Sequence, residues 1–373
     1  MSINQETYYL IALKFLPSIG DISIKNLVAH FGNAQNVWNA TQQELRLVPE
    51  IKMPVIKALL DEDLRKEALK ATDAEVAYIE KENINVVHYW QQEYSPLLYQ
   101  CYDSPVLLYF KGKIKWGAQK YISIVGTRKM TPYGEAFLEK LIADLAPIKP
   151  VIVSGLAFGV DIKAHRLAIE HNLPTIACVA NGFSKMYPVQ HKKYLADIIQ
   201  NGAVVTEFPH FSRADKENFP KRNRIIAGMG DCTIVVESGK KGGSLITADL
   251  AFGYNRDVFA LPGRINDALS EGCNMLIKTQ KANLITSADD IFYIMQWEKN
   301  GKKKAKQQEL FVELSPEEQQ LIDFLRAQPD NTAAIDVISI KTGIPLHLLA
   351  SLLLNLEFNG MLKSLPGKRY MVV

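Results

Sequence analysis

The stretch Tyr121-Ile122-Ser123-Ile124-Val125-Gly126-Thr127-Arg128 decides the fold. A short apolar run rich in β-branched residues, stopped by glycine, reads as a strand buried on both faces and ending in a sharp loop. Downstream the same unit recurs. Val151–Val153, Thr175–Val179, Ala203–Thr206, Thr233–Val236 and Val258–Ala260 are further strand candidates. The amphipathic stretches Gly134–Leu145, Val160–Glu170, Gln190–Gln200 and Ser244–Tyr254 lie between them. Strand, loop and helix in alternation predict an α/β fold, a Rossmann-like doubly wound parallel sheet. Right-handed crossovers place every strand-end loop along one edge, where such sheets bind ligands.

Those loops carry the chemistry. The first strand ends in Gly126-Thr127-Arg128, and the second in Ser154-Gly155-Leu156-Ala157-Phe158-Gly159-Val160-Asp161 with Ala164-His165 beyond. The third runs through Asn181-Gly182-Phe183 to Tyr187-Pro188, and the fourth through Glu207 to Phe219-Pro220-Lys221-Arg222-Asn223-Arg224. The fifth reads Glu237-Ser238-Gly239-Lys240-Lys241-Gly242-Gly243-Ser244, with Thr247 on the next helix. Glycine admits close backbone approach, and a helix N-terminus offers unpaired N–H groups and a positive dipole. Two phosphate grips are therefore expected, Ser154-Gly155 with Gly159, and Gly242-Gly243-Ser244. Arg128, Lys221, Arg222 and Arg224 are candidates for the surrounding charge, and Phe219 and Phe158 for stacking a base.

Each residue has a second reading. Phe158 and Phe219 also suit a core, Arg222 and Arg224 also suit ion pairs with Glu207 or Glu237, and Asp161 and His165 also suit bracing of one helix. No GxGxxG, Walker lysine, GxSxG elbow or metal-ligand spacing occurs, so no cofactor, metal or catalytic nucleophile is expected.

The flanks differ from this core. Residues 1–95 read as helical, with Leu16-Pro17-Ser18-Ile19-Gly20 resembling a helix-hairpin-helix turn and a poorer copy at Leu47-Val48-Pro49-Glu50. That segment reads as scaffold or as a grip on DNA. Residues 96–298 hold the sheet, 299–314 a basic linker, and 315–373 a small winged helix that starts at Ser315-Pro316-Glu317-Glu318. Residues 1–110 hold 9 Lys/Arg against 14 Asp/Glu, whereas 111–295 hold 24 against 17. A basic middle points to an anionic partner. The candidate recognition helix Pro345–Asn359 has no lysine or arginine, which points to protein contact. Only Lys363, Lys368 and Arg369 of the wing suit DNA. The four cysteines form no CxxC pair, and 47% hydrophobic with 22% charged residues excludes a disordered or fibrous chain. With no signal sequence or membrane-length apolar run, a soluble cytoplasmic protein is expected.

Taken together the loop motifs resemble the DprA/Smf family of DNA-processing proteins. Val125–Arg128, Pro132-Tyr133-Gly134, Ser154–Ala157 with Gly159 and Asp161, Ala164-His165, Tyr187-Pro188, Phe219–Gly228, Gly243–Ala248 and Leu261-Pro262-Gly263 carry the likeness. The resemblance implies binding of single-stranded DNA without base-specific readout or catalysis, loading of the RecA recombinase in natural transformation, and a homodimer through the Rossmann-like domain. It assigns DNA contact to Arg128, Ser154, Gly155, Phe219, Lys221, Arg222, Arg224, Gly243 and Ser244. Gly126, Gly159, Asn223, Gly242 and Thr247 complete the candidate set. The competing expectation is a nucleotide phosphoribohydrolase on a similar sheet; its acid would follow the glycines, where Glu237 precedes Gly242-Gly243 and Asp249 is the substitute on offer.

Overall fold

The computed structural model describes residues 3–114, 117, 119–299, 314–328, 331–359, 361–365 and 369–372. They fall in two units, Met1–Gly301 and Lys302–Val373. Nearly all of the basic linker, and the wing turn Pro366-Gly367 with Lys368, lie outside the described residues.

The first unit is built on nine strands, β1 (Asn85–His88), β2 (Leu107–Gly112), β3 (Tyr121–Val125), β4 (Val151–Ser154), β5 (Thr175–Cys178), β6 (Gly202–Thr206), β7 (Cys232–Val235), β8 (Asp257–Ala260) and β9 (Asn283–Leu284). Their order is β1-β2-β6-β5-β4-β3-β7-β8-β9. From β6 to β9 every pairing is parallel, as expected. The sheet as a whole is mixed, because β2 pairs antiparallel with β6, and β1 with β2. Gly112, at φ +110°, marks the β2–β6 seam, where a Cβ would collide with the Gly202 carbonyl.

All five residues of β3 are buried and alternate between two cores. Tyr121 and Val125 face Ile225, Ile226 and Met229 of the helix Asn218–Met229. Ile122 and Ile124 face Leu138, Leu141 and Ile142 of the helix Pro132–Leu145. This two-sided burial explains why the strands read as continuous apolar runs.

Six helices lie between Gln5 and Lys81, and their core includes Val106, Leu107 and Tyr109 beside β2. The segment is therefore part of the same compact unit as the sheet, and β1, short of residue 95, is the sheet's edge strand. A buried charge cluster joins the two. Asp21, at the start of the hairpin's second helix, accepts from Lys14 Nζ at 2.8 Å, Val106 N at 3.0 Å and Arg224 Nη2 at 3.0 Å. Arg224 also binds Glu207. The hairpin start is thus spent on the sheet, which favours the scaffold reading of these helices.

In the second unit Ser315 caps the helix Pro316–Arg326 reciprocally with Glu318. The helices Ile335–Thr342 and Leu346–Phe358 follow, with strands β10 (Thr332–Ala334), β11 (Leu362–Leu365) and β12 (Arg369–Val372) in the order β10-β12-β11. Leu349, Leu353 and Leu356 fill its core, while Leu346, Leu348, Leu354 and Phe358 are exposed. No single helix among the described residues is long and apolar enough to cross a membrane.

The charge cluster generates a stability prediction. Arg224→Met leaves the buried Glu207 without its cation, and removing one partner of a buried pair costs about 3–5 kcal/mol. Urea unfolding should show that loss, and a change below about 1 kcal/mol would refute it.

Candidate functional site

β3 and β7 are neighbours, yet the chain leaves β3 toward β4 and leaves β7 toward β8 on the other side. Between such diverging connections an α/β sheet opens a crevice at its carboxyl edge. Here the crevice is a cavity of about 310 Å³. The loop after β3, the loop after β7 and the helix Asn218–Met229 form its walls. The sequence reading treated the start of that helix as loop, and its periodicity decides which basic residues reach the cavity. Phe219, Arg222, Asn223 and Ile226, spaced three and four apart, share one face and line it.

Nine of the expected residues meet there: Gly126, Arg128, Phe219, Arg222, Asn223, Gly242, Gly243, Ser244 and Thr247. Gly243 and Ser244 open the helix Gly243–Gly253, and their amides have no partner among the described residues. Ser238 Oγ accepts from Ser244 Oγ at 2.9 Å, and Asn223 Nδ2 donates to the Gly243 carbonyl at 3.4 Å, which holds the turn in place. Thr247, one turn along, is fully buried, and its Oγ1 has no hydrogen-bond partner among the described residues. Two free amides, a free hydroxyl and a helix N-terminus on one wall form an anion-complementary surface. Arg128, exposed on the opposite wall, places its guanidinium 5.7 Å from the Phe219 ring centroid, and Tyr187 meets that ring edge-on at 6.2 Å. Lys240 and Lys241 are exposed on the β7 loop.

The other expected grip is occupied by the chain itself. Ala157 N donates to Asp161 Oδ2 at 3.3 Å, and Gly155 N also bonds this carboxylate, so Asp161 is the anion that the loop holds. Burial raises its pKa against the pull of Arg222 and these amides. Ser154, a candidate phosphate contact, is fully buried and its Oγ donates to the Ile124 carbonyl at 2.6 Å. Gly159, at φ +75°, lets this loop touch the β3 loop, since a Cβ would collide with the Thr127 carbonyl. Gly155 lines only a slot beside the main cavity.

Two expected basic residues do not line the cavity. Arg224 points away from the cavity into the cluster with Glu207 and Asp21, because it lies half a turn round the helix from Arg222. Lys221 is exposed on the same helix and outside the cavity lining. Arg222 combines both readings. It lines the cavity, but its Nη1 donates to the carbonyls of Gly155 and Cys178, the latter at 2.7 Å.

The acids of the enzyme reading lie elsewhere. Glu237 accepts from Thr131 N at 2.8 Å and from the Thr131 hydroxyl, and Asp249 pairs with Lys281 at 2.7 Å. Asp161 is the only carboxylate among the lining residues. His165 is fully buried with Nδ1 2.7 Å from Thr175 Oγ1, so it braces the sheet. Asp161's role was missed in the sequence, where its place in the first turn after the Ser154-Gly155 loop was the available signal. Ser238, which braces Ser244, gave no signal beyond its position.

Fold and cavity define an extended Rossmann-like protein with an anion-complementary crevice at its switch point. A family model described as DNA recombination-mediator protein A matches residues 85–296, and one described as the DprA winged helix domain matches residues 305–368. The chain belongs to the DprA/Smf family. It is 32% identical over 303 residues to Protein Smf of Escherichia coli, covering 80% of each chain. It is 42% identical over 195 residues to the DNA processing protein DprA of Streptococcus pneumoniae, covering 52% of this chain and 68% of that one. The X-ray structure of DprA from Streptococcus pneumoniae superposes with a TM-score of 0.65 at 30% identity, covering 79% of this chain and 98% of that one. A Helicobacter pylori DprA structure, described for its single-stranded DNA binding mode, gives 0.52 at 29% identity, covering 57% and 95%.

The buried imidazole yields a pH prediction. Burial, with the Arg222 charge nearby, pushes His165 down from 6.5 to about 3. The unfolded chain takes up this proton below about pH 6.5 and the folded chain does not, so the stability is present above that pH and lost below it. Between about pH 6 and pH 4 His165 should cost about 1.4 kcal/mol per pH unit. Urea titrations should show this slope, and His165→Gln should remove that share of it.

Proposed function

We propose that this chain binds single-stranded DNA through the switch-point crevice, without catalysis, and shelters incoming strands while helping to load the RecA recombinase in natural transformation. The observation that carries the reading is the pairing of two walls. One presents the Gly243 and Ser244 amides with the unpartnered Thr247 hydroxyl, and the other presents Arg128 over the Phe219 ring. The first wall suits a phosphate and the second a base with its adjoining phosphate, which together suit a single strand. The single-stranded DNA named for the Helicobacter pylori relative supports the same ligand class. Gly126, Arg222, Asn223 and Gly242 shape and support this surface, and Lys221 adds charge beside it. A homodimer through the Rossmann-like domain belongs to the proposal.

The absence of catalysis rests on the placement of the acids. A phosphoribohydrolase needs a carboxylate beside the phosphate grip, whereas Glu237 caps Thr131 and Asp249 is tied to Lys281. The winged helix is assigned to protein contact. Its helix Leu346–Phe358 exposes leucines and Phe358, and a groove of nucleic acid would need basic or polar side chains there.

Fluorescence anisotropy with labelled oligothymidine, titrated with salt, tests the crevice. The log–log salt slope should be about −0.7 per phosphate neutralised, and a matched duplex should bind more weakly. Arg128→Glu should weaken binding about tenfold or more, and Thr247→Val about fivefold, the scale of one hydrogen bond. Equal binding to duplex, or indifference to both changes, would overturn the assignment. In a separate test, deletion of residues 302–373 should leave the affinity for single strands within about threefold. A collapse of affinity would place DNA on the winged helix instead.

A further inference from the structure

The sheet ends at β1, which is bonded to β2 on one side and has no strand on the other. In an antiparallel pair, successive residues turn their backbone groups alternately toward the partner strand and away from it. Tyr89 N donates to the Val106 carbonyl on the β2 side at 2.9 Å, so His88 and Val86 face outward. Gln91 occupies both outward groups of His88. His88 N donates to Gln91 Oε1 at 2.9 Å, and Gln91 N donates to the His88 carbonyl at 2.9 Å. At Val86 the outward N–H and carbonyl have no partner among the described residues. The chain therefore caps half of this edge and leaves the other half open.

The open half borders a groove of about 460 Å³, a volume typical of binding sites. Ile3 and Ile79 wall it on the side of the first helices, and Val87 and Phe110 on the other face of the sheet. Val87 and Phe110 also line a neighbouring cavity of about 350 Å³. A strand laid against β1 sends alternate side chains toward these two walls. The charged residues in the groove lining are Glu80 and Glu93, both exposed. An open edge with unpaired backbone groups is a template for a further strand, and pockets on both faces give such an addition its selectivity.

We propose that this groove docks an extended cationic segment of a partner protein, which adds to β1 as a further strand. Its backbone carbonyl accepts from the Val86 N–H, and its own N–H donates to the Val86 carbonyl. Apolar side chains of the segment enter the two walls, and basic ones meet Glu80 and Glu93. The same carboxylates disfavour nucleic acid, and a second copy of this chain would set acidic rim against acidic rim. The surface goes beyond the crevice and is separate from it. β1 lies five strands from β3, about 24 Å at about 4.8 Å per strand, so both surfaces can be occupied together.

The test uses the full-length chain and two labelled octapeptides with blocked ends. One has four central valines with two lysines at each end, and the other has glutamates in place of the lysines. In fluorescence anisotropy the lysine peptide should bind at least about tenfold more tightly than the glutamate peptide. Hydrogen exchange should show the Val86 amide gaining protection when the lysine peptide binds. Val86→Pro removes the outward N–H and leaves the bonds to β2 in place. It should weaken the lysine peptide about tenfold while oligothymidine affinity stays within about twofold. No saturable binding of the lysine peptide up to about 1 mM would overturn the proposal, as would equal binding of the two peptides. Unchanged binding by a folded Val86→Pro, or no protection at Val86, would overturn it as well. If Val86→Pro does not fold, charge reversal at the exposed rim decides. Glu80→Lys combined with Glu93→Lys should turn the preference toward the glutamate peptide, and an unchanged preference would overturn the proposal.

Discussion

One guanidinium holds the crevice in shape. Arg222 is 5% exposed, and its Nη1 donates to the last turns of two adjacent strands, the carbonyl of Gly155 beyond β4 and that of Cys178 at the end of β5. Its Nε donates to Asn223 Oδ1 at 3.1 Å, and Asn223 in turn holds the Gly243 carbonyl. A buried cation must be compensated or it shifts or moves. Here strand-end carbonyls and the nearby Asp161 compensate it, so the guanidinium is fixed and the helix Asn218–Met229 is fixed with it. Phe219 and the start of the helix Gly243–Gly253 then keep their positions without a ligand.

That arrangement explains why two glycine-and-hydroxyl loops are not two phosphate sites. A positive charge locked among strand ends draws an anion, and the chain supplies one in Asp161, seated on the amides of Gly155 and Ala157. The first grip is thus an internal salt. The second, on Gly243 and Ser244, has no carboxylate bonded to it and leaves its amides and the buried Thr247 hydroxyl unpartnered among the described residues. Preorganised donors facing a cavity bind without having to be ordered first, which favours affinity over adaptability.

Much of this was legible in the sequence. Runs such as Tyr121–Val125 are apolar throughout because both faces are covered, and that pattern marks a parallel sheet and its loop edge without coordinates. Leu107–Gly112 escaped because an antiparallel strand, paired between β1 and β6, lies outside the repeating strand-and-helix rhythm. Phe219–Arg224 was readable only as a cluster of useful residues, since proline within it hides the helix start. Once helical, it divides itself: positions 219, 222, 223 and 226 face the cavity, and 224 faces the first helices. Ser154 and Gly159 fall outside the cavity lining for a related reason. A loop built to hold an anion looks the same in sequence whether the anion is a ligand or a side chain four or more residues on.

Charge counting has the same blind spot. The acidic first 110 residues and the basic middle read as separate in charge, but part of each is spent on the other. Asp21 is bound to Arg224, and Glu75, buried in the helix Glu62–Lys81, accepts from His210 Nδ1 at 2.6 Å and from the His210 amide at 3.0 Å. The Asp21–Arg224 pair cancels at short range and projects little field outward. Exposed cations on the loops and helix that form the crevice include Arg128, Lys129, Lys221, Lys240 and Lys241. In the proposed function such outward charges would supply steering and salt dependence, whereas the fixed amides, the Thr247 hydroxyl and the Phe219 ring would supply contacts that salt does not screen. Binding by such a surface would be set by geometry more than by net charge, so a formal charge of only +3 is compatible with the proposed site.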